Sequence, residues 1–238
     1  MPPITDNIAK LRRRIGICAK KNHRNPEQIT LLAVSKTRPA ADIEAAYHCG
    51  QRDFGENYLQ EAEEKILFLK QLPLNWHFIG PIQSNKTRIV ASLFDWVHSV
   101  DRLKIAQRLN DQRPEASPRL NICLQVNISG EDSKSGVDVQ QVAQLAEDVA
   151  KLPRLQLRGL MAIPSPSHNS QQQHAAFAQL RQLLEQLKNG IPYLDTLSMG
   201  MSGDMEAAID EGATIVRIGT DIFGPRIARP STLNKDNT

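Results

Sequence analysis

Several patterns are absent from this 238-residue chain, and each absence removes a class of protein. No run of about eighteen apolar residues occurs, so the sequence predicts no transmembrane helix. Polar residues Thr5, Asp6 and Asn7 stand where a signal peptide would have its apolar centre. The three cysteines are scattered without a CxxC pair, which favours reduced thiols over a disulfide framework. We therefore expect a cytoplasmic protein without membrane contact.

A strong charge of one sign is also missing. The formal net charge is only +3, and the basic residues alternate with acidic ones along helical stretches instead of forming a stripe with interleaved aromatics. This excludes an evident nucleic-acid surface. Hydrophobic residues make up 40% and charged residues 23%, which is typical of a globular protein with a sizeable core.

Apolar strand-like segments alternate regularly with amphipathic helical ones. Strands are predicted over residues 31–36, 53–57, 75–80, 96–100, 120–128, 155–163, 194–198 and 214–219, with a long helix over 174–188 before the seventh. An extra amino-terminal helix over about 4–21 precedes them. Eight such repeats predict an α/β fold, a single (β/α)8 TIM barrel, with a doubly wound open sheet as the alternative.

No linker rich in Ser, Gly or Pro divides the chain. We therefore expect one domain over residues 1–224. Residues 225–238 contain proline and lack apolar periodicity, which predicts a loosely held carboxyl-terminal tail.

The first predicted strand is apolar and ends in Lys36 where a turn residue would be ordinary. The carboxyl ends of parallel strands are where α/β proteins place their chemistry. A desolvated lysine loses its proton more readily and can form a Schiff base with an aldehyde. The alternative is a lysine that extends into solvent at the end of a strand.

Donors suited to a phosphate follow the last two strands. After strand seven comes the small-residue loop that contains Ser202, and after strand eight come Gly219 and Thr220. Ser202 could instead cap the next helix, and Gly219 could be a plain turn residue. Arg217 lies inside an apolar strand and therefore needs a partner. Together with Lys36 these groups imply an aldehyde that also carries a phosphate, and pyridoxal 5'-phosphate (PLP) fits.

Five segments closely resemble the pyridoxal phosphate homeostasis protein family. They are LAVSK at 32–36, FGENY at 54–58, WHFIGPIQSNK at 76–86, SMGMSGDME at 198–206 and VRIGTDIFG at 216–224. The resemblance runs from about residue 8 to 224. That family is similar to the barrel domain of alanine racemase without its second, β-rich domain, so the resemblance implies a barrel of this type with PLP as its cofactor.

The resemblance also implies roles for individual residues. Lys36 holds PLP as a Schiff base, and Arg217 faces the pyridine nitrogen. Ser202, Gly219 and Thr220 hold the phosphate.

Other candidates are weaker. Asn57, just past strand two, is expected to contact the edge of the cofactor. We interpret His77 as a buried strand histidine with ordinary hydrogen-bond partners, because no second metal-type ligand lies at regular spacing, and we expect no metal site. The roles of His77 and Asn85 within the family signature stay open. Lys134, in a polar loop, could bind a second aldehyde or anion, although a solvated loop charge is the default.

Two functions follow from these expectations. The first is a non-catalytic carrier or buffer in PLP homeostasis, with effects on amino-acid balance and with apo-enzymes that need PLP as recipients. The second is a PLP-dependent amino-acid racemase or related enzyme; a class I aldolase is a distant third. The sequence ends shortly after strand eight, and an expected lack of a covering domain favours the carrier, with no catalytic residue assigned. We expect a monomer.

Overall fold

Eight parallel strands close into a barrel in the computed structural model, which describes residues 3–131 and 135–225. The barrel strands are β1 (Thr30–Val34), β2 (Asp53–Glu56), β3 (Asn75–Phe78), β4 (Trp96–Val100), β5 (Leu120–Asn127), β7 (Leu155–Met161), β8 (Thr196–Ser198) and β9 (Ile215–Ile218). A two-residue strand, β6 (Val137–Asp138), pairs with the end of β5 outside this ring.

The ring is closed because its strands make one pairing more than an open sheet of eight strands would have. The last strand returns to the first, with Arg217 on β9 opposite Leu32 on β1. Strands β4 and β5 also pair, with Val97 opposite Ile122. The predicted TIM barrel is therefore confirmed, and the doubly wound open sheet is excluded.

Helices connect successive strands, as the right-handed β-α-β rule requires. They are α1 (Ile4–Lys21), α2 (Ala40–His48), α3 (Leu59–Phe68), α4 (Thr87–Leu93), α5 (Leu103–Gln112), α6 (Val142–Ala150), α7 (Ser170–Lys188), α8 (Met205–Asp210) and α9 (Thr220–Phe223). Helix α7 begins earlier than its apolar pattern predicts, because the Asn169 side chain accepts hydrogen bonds from two amides of the first turn.

The predicted amino-terminal helix is confirmed as α1. Ile8, Leu11 and Ile15 are buried at the spacing of one helical face. The helix packs against α8 and α9, which follow the two strands whose loops were predicted to hold a phosphate. The Asn7 side-chain amide donates to the Ile222 carbonyl of α9 at 2.8 Å, so α1 supports this side of the barrel mouth.

Two predictions fall outside the described residues. Lys134 is one of the undescribed residues 132–134. The tail predicted over 225–238 is also undescribed, apart from Pro225. Within the described ranges, no helix combines the length and the apolar character that crossing a membrane requires.

Candidate functional site

A cavity of about 270 Å³ opens at the carboxyl ends of the strands. The six residues predicted to bind the cofactor all line it, and they arrive on four different strand ends: Lys36, Asn57, Ser202, Arg217, Gly219 and Thr220. Barrel folds concentrate chemistry at this end because every strand delivers a loop there. The sequence-predicted residues are therefore brought together by strand direction, although up to 184 residues separate them along the chain.

Lys36 sits in a turn that the backbone makes immediately after β1. The side chain is half-buried and faces the cavity. The next residue, Thr37, has φ of +64°, which is uncommon for a residue other than glycine. The Thr37 amide donates to a carboxylate oxygen of Glu61 at 2.5 Å. A charge-assisted hydrogen bond of this kind helps to hold the unusual conformation and, with it, the direction of Lys36.

A buried ion cluster lies beneath this turn. The Lys65 ammonium donates to the Ser35 carbonyl at 2.8 Å, to Glu56 at 2.7 Å and to Glu61 at 2.6 Å. Ser35 also donates through its hydroxyl to Glu56 at 2.6 Å. Burial raises the pKa of the Glu56 carboxyl, and the neighbouring Lys65 opposes that rise. The carbonyl that precedes Lys36 is therefore fixed from the protein interior.

The loop after β8 is shaped by Gly200, whose φ is +93°. A Cβ at this position would approach the Ala208 Cβ to 2.5 Å, so glycine is required. The Gly200 carbonyl accepts from the Arg217 amide at 2.9 Å, which ties the loop to β9. Ser202 lines the cavity and lies two residues before Asp204, the N-cap residue of α8, so the alternative in which Ser202 caps this helix is not observed.

The end of β9 supplies the remaining phosphate-type donors. Gly219 is the residue before α9, and Thr220 is the first residue of that helix. Amides at the start of a helix have no intrahelical carbonyl to bond and can serve an anion. A Cβ on Gly219 would come within 3.1 Å of the Val34 carbonyl, so glycine lets this backbone lie close to the end of β1.

Arg217 reaches the cavity from inside the barrel and is only 4% exposed. The guanidinium donates to the Ser198 carbonyl, to the Ser198 hydroxyl at 2.9 Å and to the Ala162 carbonyl at 2.9 Å. Burial lowers the pKa of Arg217 to about 10, while Asp204 and Cys123 oppose the fall. The partners that Arg217 needs inside an apolar strand are therefore neutral oxygens. The guanidinium stays protonated at neutral pH.

The donor set fits a phosphorylated aromatic aldehyde. A primary amine stands at one strand end, hydroxyl and amide donors stand at two others, and Val34, Ile79 and Met161 provide apolar walls. One further observation fits such a ligand: the side-chain oxygen of Asn57 is buried and has no hydrogen-bond partner among the described residues. Buried polar atoms are normally satisfied, so a bound group with a donor at this edge would satisfy it.

Two residues of the family signature lie away from the cavity. His77 is 1% exposed and contacts His98 and Asp53, so its interpretation as a buried strand histidine with ordinary partners is confirmed. Asn85 is exposed in the short helical turn Ser84–Lys86 and does not line the cavity. In residues 3–131 and 135–225 no group of three metal-type ligands comes together.

Sequence reasoning missed two residues at or below the site. Arg38 lines the cavity and donates to the carbonyls of Gly224 and Pro225, which joins the loop after β1 to the end of the described chain. His98 is fully buried inside β4 and contacts the hydroxyl of Ser198. The signal that identified Arg217, a polar residue within an apolar strand, would also have found His98.

Comparison with known proteins agrees with this geometry. Residues 4–227 match the family described as alanine racemase, N-terminal domain. The chain is 62% identical over 226 residues to a pyridoxal phosphate homeostasis protein of Pseudomonas aeruginosa, covering 95% of this chain and 97% of that protein.

Two solved structures define the similarity further. The structure of PipY from Synechococcus elongatus with PLP bound is 39% identical, with a TM-score of 0.81, and the match covers 93% of this chain and all of that one. Alanine racemase from Corynebacterium glutamicum is 16% identical with a TM-score of 0.70, covering 93% of this chain and 62% of that one. The racemase shares the barrel fold.

Proposed function

The chain belongs to the pyridoxal phosphate homeostasis protein family, and from this premise we propose that it binds PLP as a Schiff base on Lys36 and acts as a carrier or buffer of the cofactor. The observation that carries the proposal is the single cavity in which a strand-end lysine faces the donors of Ser202, Gly219 and Thr220. A reactive aldehyde held in this way is sequestered from other amines but remains recoverable by hydrolysis.

The covalent step is a reversible condensation. The Lys36 amine, after losing its proton to solvent, attacks the aldehyde carbon; a C=N bond forms, and the carbonyl oxygen leaves as water. The phosphate, with a charge near −1.5 to −2, receives hydrogen bonds from Ser202, Gly219 and Thr220, each contributing roughly 1.5 to 3 kcal/mol. Asn57 satisfies its buried oxygen against the cofactor edge.

Arg217 faces the pyridine nitrogen in this proposal. An arginine can only donate hydrogen bonds, so it leaves that nitrogen without a proton of its own. When bound, PLP supplies a ring that withdraws electrons from the carbon next to the imine, and an unprotonated ring does so less strongly. The residues of the site are therefore better suited to holding PLP than to activating a substrate.

The composition of the cavity wall favours a carrier over a racemase. Racemisation requires an acid or base on each face of the substrate carbon, and each positioned group contributes roughly 10²- to 10⁴-fold. Among the described residues that line the cavity, Lys36 is the one with a side chain suited to general acid–base work; the others are arginine, amide, hydroxyl, thioether or aliphatic groups and glycine. We propose little or no catalytic activity.

Borohydride reduction tests the Schiff base directly. Protein purified without added cofactor should be yellow, and reduction should fix the cofactor on the peptide that contains Lys36. The buried Lys65 serves as an internal control, since its three hydrogen bonds keep it from the aldehyde. Label found only on another lysine would rule out the assignment.

Deuterium exchange separates the carrier from the enzyme. PLP-loaded protein mixed with L-alanine in deuterated water should show negligible incorporation at the α-carbon and negligible D-alanine. Formation of D-alanine at ordinary enzymatic rates, about 1 to 10³ per second, would establish the racemase instead.

The partners of a carrier are expected to be enzymes that need PLP. Loaded protein should restore activity to an apo-enzyme while a scavenger removes free PLP from solution. Light scattering of the loaded protein alone should give the mass of a monomer.

A further inference from the structure

A line of hydrogen bonds crosses the barrel interior from Arg217 to Asp53. The Arg217 guanidinium donates to the Ser198 hydroxyl at 2.9 Å, and this hydroxyl lies 2.8 Å from His98 Nδ1. His98 Nε2 lies 3.0 Å from His77 Nδ1, and His77 Nε2 lies 3.2 Å from an Asp53 carboxylate oxygen. These five residues form what is here called the histidine relay.

The histidine relay joins the two ends of the barrel. Arg217 faces the cavity at the carboxyl ends of the strands, whereas Asp53 is the first residue of β2 and lies at the opposite end. The three bridging residues are 0–1% exposed, while the Asp53 side chain is 26% exposed. The Asp53 end of the histidine relay therefore contacts solvent, and the Arg217 end contacts the cavity.

The chemistry of the two terminal groups fixes the direction of the two end bonds. A carboxylate only accepts, so His77 Nε2 donates to Asp53; a guanidinium only donates, so the Ser198 oxygen accepts from Arg217. In the arrangement that places one hydrogen on Nε2 of each imidazole, His98 Nε2 donates to His77 Nδ1, and the Ser198 hydroxyl donates to His98 Nδ1. Each bridging group then contributes one hydrogen and one acceptor, and no link is left unsatisfied.

A hydrogen on His77 Nδ1 would break this pattern. Its Nδ1 would become a donor, His98 would have to accept at Nε2 and donate from Nδ1, and the Ser198 hydroxyl hydrogen would lose its acceptor within the histidine relay. A buried, unsatisfied hydroxyl is unfavourable. The Asp53 carboxylate, which holds the hydrogen on His77 Nε2, therefore selects the arrangement in which the Ser198 hydroxyl donates to His98 while its oxygen accepts from Arg217.

We propose that Asp53, acting through His77, His98 and Ser198, is a remote positioning residue for Arg217 and thereby for the group that Arg217 faces. This inference rests on the proposed function only in naming that group as the pyridine nitrogen of PLP. The histidine relay itself consists entirely of residues of this chain.

Packing around the histidine relay supports a fixed arrangement. The His77 ring stacks on Trp96 with an interplanar angle of 7°, which holds the ring orientation that both of its hydrogen bonds require. Burial, together with nearby His77 and Arg217, lowers the pKa of His98 well below its ordinary value, so His98 is neutral at pH 7. For Asp53, burial raises the pKa, but donation from His77 and from Asn75 outweighs burial and lowers it.

Other charged or titratable groups near the histidine relay are not links in it. Arg158 lies 4.8 Å from the centre of the Trp96 ring and pairs with Asp195 at 2.6 Å. Asp204 and Cys123 act on Arg217 through space, and burial keeps the Cys123 thiol protonated by raising its pKa to about 12. Asp195 therefore offers a matched control, because it is a carboxylate at the same end of the barrel with no hydrogen bond to either histidine.

The first experiment measures the histidine tautomers in wild-type protein without cofactor. Two-bond nitrogen–proton correlation spectra at pH 7.5 should show His98 neutral with its hydrogen on Nε2, and a hydrogen on Nε2 of His77. A hydrogen on Nδ1 of His98 in this sample would overturn the proposal, whatever the variants do.

The second experiment compares Asp53→Asn with Asp195→Asn. Asp53→Asn should alter the nitrogen signals of His98, which it does not contact, and should weaken PLP binding by roughly 3- to 10-fold, within the range usual for coupling through a packed network. Asp195→Asn should change PLP affinity less than twofold. Equal effects of the two variants, or an Asp53→Asn effect that stops at His77, would contradict the histidine relay.

A double-mutant cycle tests whether the effect travels through Ser198. In a Ser198→Ala background, which removes the link to Arg217, Asp53→Asn should weaken PLP binding less than twofold. The same 3- to 10-fold loss in both backgrounds would rule out transmission. If the wild-type protein fails to bind PLP, the proposed function fails, and the tautomer measurement still decides the histidine relay.

Discussion

At the scale of single residues, the lysine at the site depends on a second lysine below it. Lys65 is 6% exposed and holds both the fully buried Glu56 and the carbonyl of Ser35, the residue before Lys36. Removing one partner of a buried ion pair leaves the other charge without compensation. Lys65 thus stabilises the fold and fixes the turn from which Lys36 projects.

Lys65→Met should therefore have two effects. The free energy of unfolding should fall by about 3 to 5 kcal/mol, the usual cost of breaking a buried pair, as measured by urea denaturation without PLP. PLP affinity should fall as well, because the turn after β1 loses its anchor. Lys70→Met, at an exposed position just past the end of α3, is the control and should leave both quantities nearly unchanged.

Thr220 is expected to contribute specifically to phosphate binding. Thr220→Val removes a hydroxyl donor while preserving the branched shape, so PLP should bind more weakly by the equivalent of roughly 1.5 kcal/mol or more. Pyridoxal, which lacks the phosphate, should bind both proteins with similar affinity. Equal losses for the two ligands, measured by absorption titration, would argue against a phosphate contact at this position.

At the scale of elements, the close approach of β7 and β8 limits which residue can occupy position 159 below the site. Gly159 on β7 lies opposite Thr196 on β8, and a Cβ on Gly159 would come within 1.9 Å of the Thr196 carbonyl oxygen. Such an overlap forces the strands apart. Ser198, which holds Arg217, is only two residues further along β8.

Gly159→Ala should thus destabilise the protein by about 1 to 3 kcal/mol, the usual cost of overpacking, and should weaken PLP binding through displacement of Ser198. Gly16→Ala provides the comparison. Nothing lies within 4 Å of a Cβ at Gly16, which is inside α1, so that substitution should stabilise the protein by roughly 0.5 to 1 kcal/mol. Thermal denaturation of both variants measures these changes in stability. Changes of the same sign in the two variants would contradict the prediction.

At the scale of the whole molecule, one buried histidine should make stability depend on pH. The folded-state pKa of His98 lies well below 6.5, so the unfolded chain takes up a proton there as pH falls below about 6.5 and the folded protein does not. The contribution of His98 is thus present above this pH and is lost as pH falls toward the folded-state pKa, at up to about 1.4 kcal/mol per pH unit.

His98→Gln should flatten that part of the curve. The free energy of unfolding, measured by urea denaturation from pH 7 to pH 5, should fall less steeply in the variant than in the wild type. The exposed His168 is the matched control, and His168→Gln should keep the wild-type slope. Identical slopes in all three proteins would show that His98 takes up its proton equally in the folded and unfolded wild-type protein.

The sequence by itself determined the barrel, because strand and helix periodicities alternate regularly and short connections leave few topologies for such a pattern. It also identified six of the cavity residues, since each lies near the carboxyl end of a predicted strand and parallel strands deliver these ends to one face. The resemblance to a known family supported PLP as the cofactor that the donor groups suggested. Short-range signals decided less: a serine before a helix also suits a cap, and only the structure shows that Asp204 is the N-cap of α8 and that Ser202 lines the cavity.

Only the tertiary structure decided what lies beneath the site. Asp53, His77 and His98 occupy three neighbouring strands and look unrelated in the sequence, because hydrogen bonds between side chains depend on strand register and on which face each residue occupies. The same is true of Lys65, which reaches the turn after β1 from the helix that follows β2. Periodicity shows which positions are buried; distances between strands in the closed barrel determine which buried polar groups meet.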